Sequence, residues 1–258
     1  MIKNFPEKIK LLAFDLDGTL AESKQEIKKD LAKILKTLIK KYLILIIGGG
    51  KLSQIKKQIG ELAKEKNLII GALSGSLVFY KKRVLFKTKV IPKNKFKKIK
   101  EIILNEFKNF KFKPKKIWGK LIDFRKNQIT ISFLGQKAPL KEKKKFKNLD
   151  EKLKIRENFL KLIKSKLIKK DLKNLNFRLG GLTSIDINLK GVDKAYCLKK
   201  VMNFFKLKKS QIIFFGNELF PMGNDFPIKK AGFKIVEVLN PKETKKKLII
   251  IFNIHEDN

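Results

Sequence analysis

The chain has 258 residues, 43% hydrophobic and 34% charged, with a formal net charge of +39 at pH 7. That length exceeds the roughly 100–200 residues of one domain, so one large domain or two modest ones are expected. No stretch approaches the ~18 uninterrupted apolar residues of a membrane helix, the opening MIKNFPEKIK lacks a signal or transit pattern, and the single cysteine, Cys197, excludes an intramolecular disulfide framework and fits a reducing, cytoplasmic setting.

Residues 9–14 form a short apolar run that stops at Asp15-Leu16-Asp17-Gly18, which reads as a buried strand ending in a turn. Residues 24–40 place Ile27, Leu31, Ile34, Leu35 and Leu38 at helical spacing. A second apolar run at residues 43–47 ends at Gly48-Gly49-Gly50, helical periodicity resumes over 53–66, and residues 68–70 make a third strand. Strands alternating with helices predict an α/β fold, a Rossmann-like parallel sheet with right-handed crossovers. Residues 77–86 then read as a hairpin turning at Lys81-Lys82. Between Lys93 and Lys190 the predicted order is helix (96–107), strands (121–124 and 129–134), helix (about 151–167) and two short strands (177–179 and 184–187). The lysine-rich residues 141–147 read as a solvated loop or helix start. The βα rhythm returns with a helix over 194–205, strands at 212–215 and 234–238, and a short helix after Pro241. The domain assignment is therefore a core of residues 1–88 and 190–258, interrupted by an α+β insert of residues 89–189.

The strongest local signal is Phe14-Asp15-Leu16-Asp17-Gly18-Thr19-Leu20. Two carboxylates at i, i+2 leave the carboxyl end of a strand, where open α/β sheets bind ligands. Gly18 allows a sharp turn that turns backbone amides toward an anion. A carboxylate can accept a phosphoryl group when a metal neutralises the phosphate, and a second can protonate the leaving oxygen. A β-turn whose aspartates merely cap amides has the same spacing. FDLDGTL resembles, throughout, the signature of the haloacid dehalogenase superfamily, and the insert resembles the cap of the branch holding sugar phosphatases and eukaryotic-type phosphomannomutases. Residues 180–186 (GGLTSID), 191–198 (GVDKAYCL) and 216–225 (GNELFPMGND) are similar to the phosphomannomutases in particular.

The resemblance implies Asp15 as nucleophile, Asp17 as general acid/base and Lys194 as the cation holding nucleophile and phosphate, although by composition alone Lys194 is one surface lysine among dozens. It implies a magnesium site drawn from Asp15, Asp17, Asn217 and Asp225, and substrate contacts at Gly18, Gly48, Gly49, Gly50, Arg125, Ser184 and Asp186. Ser184 and Asp186 also fit an alternating strand with polar residues facing water, and the three glycines also fit a plain flexible turn. Three departures stand out. Position 217 is Asn where the family has Asp, which weakens a hard-cation site by one charge. The glycine turn has no hydroxyl before Ser53. Gln136 and Trp118 stand where the mutases have phosphate-clamping arginines, with Lys120 and Lys137 as imperfect substitutes.

The positive charge is nearly all lysine; Arg83, Arg125, Arg156 and Arg178 are the only arginines. Base readout and bidentate phosphate clamps favour arginine, and joint enrichment in lysine, isoleucine, asparagine and phenylalanine matches AT-rich codons, so a nucleic-acid partner is not expected. His255 reads as a tail residue, and Cys197 and Trp118 as packing. The expected function is a cytoplasmic, magnesium-dependent phosphatase of a small phosphorylated metabolite such as a sugar phosphate. The alternatives are a phosphomannomutase or, from another class, a weakened phospho-ligand or polyanion binder. The sequence leaves the oligomeric state open, a homodimer included.

Overall fold

The computed structural model describes residues 9–169 and 174–254, so His255 lies outside the described residues. In chain order, β1 (Leu11–Asp15), α1 (Lys29–Ile39), β2 (Leu43–Ile47), α2 (Leu52–Ile59), β3 (Leu68–Ala72), β4 (Leu77–Tyr80) and β5 (Arg83–Lys87) come first. Then follow α3 (Lys93–Asn109), β6 (Ile122–Phe124), β7 (Gln128–Ser132), α4 (Leu140–Leu153), α5 (Ile155–Lys169), β8 (Leu175–Gly180) and β9 (Ser184–Leu189). The chain closes with α6 (Lys194–Phe204), β10 (Ile212–Gly216), α7 (Phe226–Lys230), β11 (Lys234–Glu237) and α8 (Pro241–Phe252). Two units result. One runs to Lys87 and resumes at Asp193; the other is Thr88–Val192.

The first unit is a seven-stranded sheet in the order β11-β10-β1-β2-β3-β4-β5, parallel from β11 to β3 and antiparallel at β4 and β5. The strands are apolar on both faces because both faces are covered. Leu12, Phe14, Ile44, Ile46, Ile213 and Phe215 enter one core with Leu31, Ile34, Leu35 and Leu38 of α1. Leu11, Ala13, Leu45, Ile47, Ile212 and Phe214 enter the other with Ala195, Cys197, Leu198 and Val201 of α6. β1 lies between β2 and β10, so the connections that flank it pass on opposite faces of the sheet. That is the topological switch point at which such sheets open a crevice beyond their carboxyl ends.

The second unit pairs a four-stranded antiparallel sheet, β6-β7-β9-β8, with α3, α4 and α5. Its core is aromatic: Phe133 packs against Phe107, Phe110, Phe112, Phe146 and Phe159 with ring centroids 5.3–6.5 Å apart. Residues 141–147, read from sequence as a loop or helix start, belong to α4. Only Lys143, Phe146 and Asp150 of that helix are buried, too few apolar positions to show a period. The single helix expected over 151–167 is two, because Lys154 adopts a left-handed conformation (φ 52°, ψ 37°) between α4 and α5. Asp150 seals that break, accepting from both the backbone amide and the Nε of Arg156 at 2.7 Å.

Local chemistry sets the other boundaries. α1 starts at Lys29 rather than Lys24, since the preceding residues are engaged elsewhere: the Lys24 amide donates to Asp17 Oδ1 (2.7 Å) and the Ile27 amide to the Gln58 carbonyl (2.8 Å). The β4–β5 hairpin does turn at Lys81 and Lys82, both with positive φ (44° and 61°), as a two-residue turn between right-twisted strands requires. Among the described residues no helix is long and apolar enough to cross a membrane.

Candidate active site

Asp15 ends β1, registered opposite Ile47 of β2, and is 3% exposed. Its Oδ1 accepts from Lys194 Nζ at 2.5 Å. Lys194 opens α6 because Asp193 caps that helix, its Oδ1 accepting from the Tyr196 amide at 2.9 Å, so the lysine stem is fixed from its first carbon. The same ammonium donates to Asn224 Oδ1 at 2.5 Å and to Asp225 Oδ1 at 2.7 Å. Asp15, Lys194 and Asp225 thus meet at one buried point, and Asn224, not singled out in the sequence, completes it.

Asp225 is fully buried, and its second oxygen accepts from the backbone amides of Asn217 (3.1 Å) and Glu218 (3.0 Å). Gly216 makes room for that carboxylate: a Cβ there would fall 2.7 Å from Asp225 Oδ2. Both oxygens being engaged, Asp225 holds Lys194 and the 217–218 backbone in place.

Thr19, also fully buried, lies within donating distance of both Asp15 Oδ2 (3.4 Å) and Asn217 Oδ1 (3.3 Å). These two oxygens therefore flank one hydroxyl. Asn217 packs closely on Gly18, where a Cβ would come 2.6 Å from the amide nitrogen; with φ at +94° the position favours glycine on both counts. Asp17, two residues beyond the nucleophile, turns Oδ1 to the Lys24 amide (2.7 Å) and to Gln58 Nε2 (3.0 Å). Gln58 is 3% exposed and also donates to the Gln25 carbonyl.

Burial is the largest influence on Asp15 and raises its pKa to about 8, against the pull of Lys194, while Asp225 and Asp17 add to the rise. Burial also works against the Lys194 ammonium, but Asp15 and Asp225 outweigh it and raise its pKa, so Lys194 stays protonated. Two buried carboxyl groups thus share one buried cation, and a further cation bound beside Asp15 would favour the ionised form that burial opposes. Magnesium binds oxygen donors and commonly keeps waters, using only one or two protein carboxylates. Asp15 Oδ2 and Asn217 Oδ1 supply a carboxylate and an amide oxygen of the required hardness. No group of three His, Cys, Asp or Glu among the described residues could hold a metal by itself.

The glycine turn lies beside Asp15 at the end of β2. Gly48 does not offer its amide to an anion, because it donates to the Gly71 carbonyl at 2.9 Å. The carbonyls of Gly48 and Gly50 accept from Ser74 and Leu73 at 3.0 Å each, which stitches the turn to a left-handed segment at Leu73 and Ser74 (φ 53° and 54°).

Arg125, Ser184 and Asp186 belong to the second unit. Asp186 is 6% exposed and accepts from the Thr130 hydroxyl at 2.8 Å; Ser184 Oγ lies 3.0 Å from Ser132 Oγ in the β7–β9 register. Asp186 therefore does not face water, as the alternating-strand alternative required. Arg125 Nε donates to Asp123 Oδ2 at 2.8 Å and its Nη2 to Gln136 Oε1 at 3.4 Å. Lys143, 5% exposed on α4, is a buried cation that the sequence reading passed over.

Comparison with known proteins agrees with this architecture. A family model described as eukaryotic phosphomannomutase matches residues 31–254. Phosphomannomutase 1 of Mus musculus is 32% identical over 260 residues, covering 95% of this chain and 94% of the relative. A phosphomannomutase of Encephalitozoon cuniculi is 30% identical over 243 residues, covering 92% of this chain and 91% of the relative. Among solved structures, an N-terminally truncated, IMP-bound IMP-nucleotidase of Plasmodium falciparum aligns with a TM-score of 0.68 and 19% identity, covering 96% of this chain and 69% of that one, a likeness of fold.

Proposed function

The chain belongs to the eukaryotic phosphomannomutase family, a branch of the haloacid dehalogenase superfamily, and on that footing we propose that it moves a phosphoryl group between two hydroxyls of a hexose phosphate through a phosphorylated Asp15. The observation that carries the chemistry is the buried Asp15–Lys194 contact at the carboxyl end of β1. Asp15 attacks phosphorus, the bond to the departing sugar oxygen breaks, and Asp17 gives that oxygen its proton. In the return step the free hydroxyl of a bound hexose monophosphate passes its proton to Asp17 and attacks the aspartyl-phosphate, which forms a hexose bisphosphate and frees Asp15 to take the other phosphate. Lys194 holds Asp15 aligned and balances charge on the transferring group. Asp15 and Asn217 would hold magnesium, which when bound supplies positive charge against the phosphate oxygens. Ser184 and Asp186 serve sugar hydroxyls, and Arg125 serves the phosphate that is not reacting.

This ordering reverses the one reached from sequence, where Gln136 and Trp118 argued for net hydrolysis. The relatives' names favour the mutase. Gln136, in contact with Arg125, still favours some leakage of phosphoryl groups to water. The deciding assay feeds mannose 1-phosphate with a hexose bisphosphate activator and follows mannose 6-phosphate and inorganic phosphate together. Mannose 6-phosphate without stoichiometric phosphate supports the mutase; release of phosphate with no isomerised sugar returns the reading to a phosphatase.

A further inference from the structure

Thr244 lies on α8, outside every motif above, and is fully buried. Its hydroxyl is 2.6 Å from the Thr19 carbonyl and 3.3 Å from the Asn240 carbonyl. A threonine hydroxyl has one proton to donate, and the shorter contact is the one to Thr19. Thr19 is the residue whose own hydroxyl lies between Asp15 Oδ2 and Asn217 Oδ1. Both of those distances fall at the long end of hydrogen bonding, so a displacement of the Thr19 backbone by a few tenths of an ångström would break one of them. The turn that carries Thr19 is otherwise held from within, by the Gly18 amide on the Ala21 carbonyl (2.7 Å) and the Leu20 and Ala21 amides on the Leu16 carbonyl (2.9 and 3.0 Å). Thr244 supplies it with a buried side-chain donor from outside.

We propose that Thr244 is a positioning residue for the reaction: by fixing the Thr19 carbonyl, it sets the Thr19 hydroxyl against Asp15 and Asn217. Thr244 itself is held by the helix backbone, its amide donating to the Asn240 carbonyl at 3.1 Å, a contact that does not need the Asn240 side chain. The helix start is separately capped: Asn240 Oδ1 accepts from the Glu243 amide (3.1 Å), and Glu243 Oε2 accepts from the Leu239 amide just before the cap (2.6 Å). The inference rests on the proposed aspartyl-phosphate chemistry, and the test separates the two.

Turnover of mannose 1-phosphate is measured for the full-length wild type, Thr244→Val, Thr244→Ser and Asn240→Ala. Thr244→Val removes the donor with little change of shape and is expected to lower kcat about 10- to 100-fold, the scale of a small misplacement at a reacting centre, with KM within about twofold because substrate groups are untouched. Thr244→Ser keeps the donor and restores kcat to within about threefold. Asn240→Ala weakens the same helix without removing the Thr244 donor, so it lowers the melting temperature and leaves kcat in place. A Thr244→Val protein with wild-type kcat, or an Asn240→Ala protein that loses kcat equally, overturns the inference. Should Thr244→Val not fold, Thr244→Ala and Thr244→Ser are compared by fluorine NMR for beryllofluoride binding with magnesium, with at least about tenfold weaker binding expected in Thr244→Ala alone; equal binding by the two overturns the inference. A wild type that neither turns over nor binds beryllofluoride defeats the proposed function, and this inference with it. A wild type that does both beside an unimpaired Thr244→Val defeats this inference only.

Discussion

Replacing Lys194 with methionine keeps most of the stem's volume and removes one ammonium. That ammonium touches Asp15, Asn224 and Asp225 at 2.5, 2.5 and 2.7 Å and is itself 1% exposed. Asp15 and Asp225 would be left buried without their shared cation, and breaking a buried pair from one side costs about 3–5 kcal/mol. The cost depends on pH in a direction that can be worked out. Asp15 rises from 3.8 to about 8 in the folded protein, so the native state keeps a proton that the unfolded chain has lost in that window. Stability linked to this proton is complete below the unfolded value and is lost as pH rises through the folded one. Without Lys194 to favour the carboxylate, that loss grows and extends to higher pH. Urea unfolding of the magnesium-free protein at pH 5.5 and 8.5 should therefore show a larger deficit for Lys194→Met at the higher pH than at the lower. Turnover should fall by more than about a thousandfold, since alignment and charge balance are lost together. A deficit equal at both pH values, or below about 1 kcal/mol at pH 8.5, would refute the shared-cation account.

Three further outcomes follow from single contacts. Asn217→Asp adds a carboxylate beside Asp15 Oδ2 and should lower the magnesium concentration for half-maximal activity about tenfold, as one more ligand charge implies; magnesium titration of turnover checks it. Arg156→Met strips Asp150 and the carbonyls of Gly181 and Ser184 of a fully buried guanidinium and should destabilise the second unit by about 3–5 kcal/mol, read from its denaturation midpoint. Lys154→Gly relieves an exposed lysine held at φ 52° and should raise stability by up to about 1 kcal/mol, a shift visible in the same denaturation curve.

Much of the fold was legible because the sheet's residues carry their burial in their sequence. β1, β2 and β10 are unbroken apolar runs that stop at Asp15, Gly48 and Gly216, and the signature places both carboxylates beyond the first of them. Lys194 was legible only through its flanking residues, because nothing in a lysine-rich composition separates one buried lysine from dozens on the surface. α4 was hidden by the opposite problem: its lysine run conceals a face of which only Lys143, Phe146 and Asp150 are buried. Gln58 and Thr244 had no local signal at all. Their contacts to Asp17 and Thr19 span 41 and 225 positions in sequence, and no periodicity or motif encodes a pairing at that separation. Asp225 shows the converse limit: sequence placed an acid at the site, but only its two amide donors and the Lys194 contact show that both oxygens are already engaged.

The phosphorylated nucleophile can be tested directly by acid-quenching the protein during turnover of a radiolabelled hexose phosphate and mapping the labelled peptide. The account predicts an acyl-phosphate on Asp15, with label and turnover both abolished in Asp15→Asn. Turnover with no label at Asp15, or an Asp15→Asn protein that retains the wild-type rate, would contradict it.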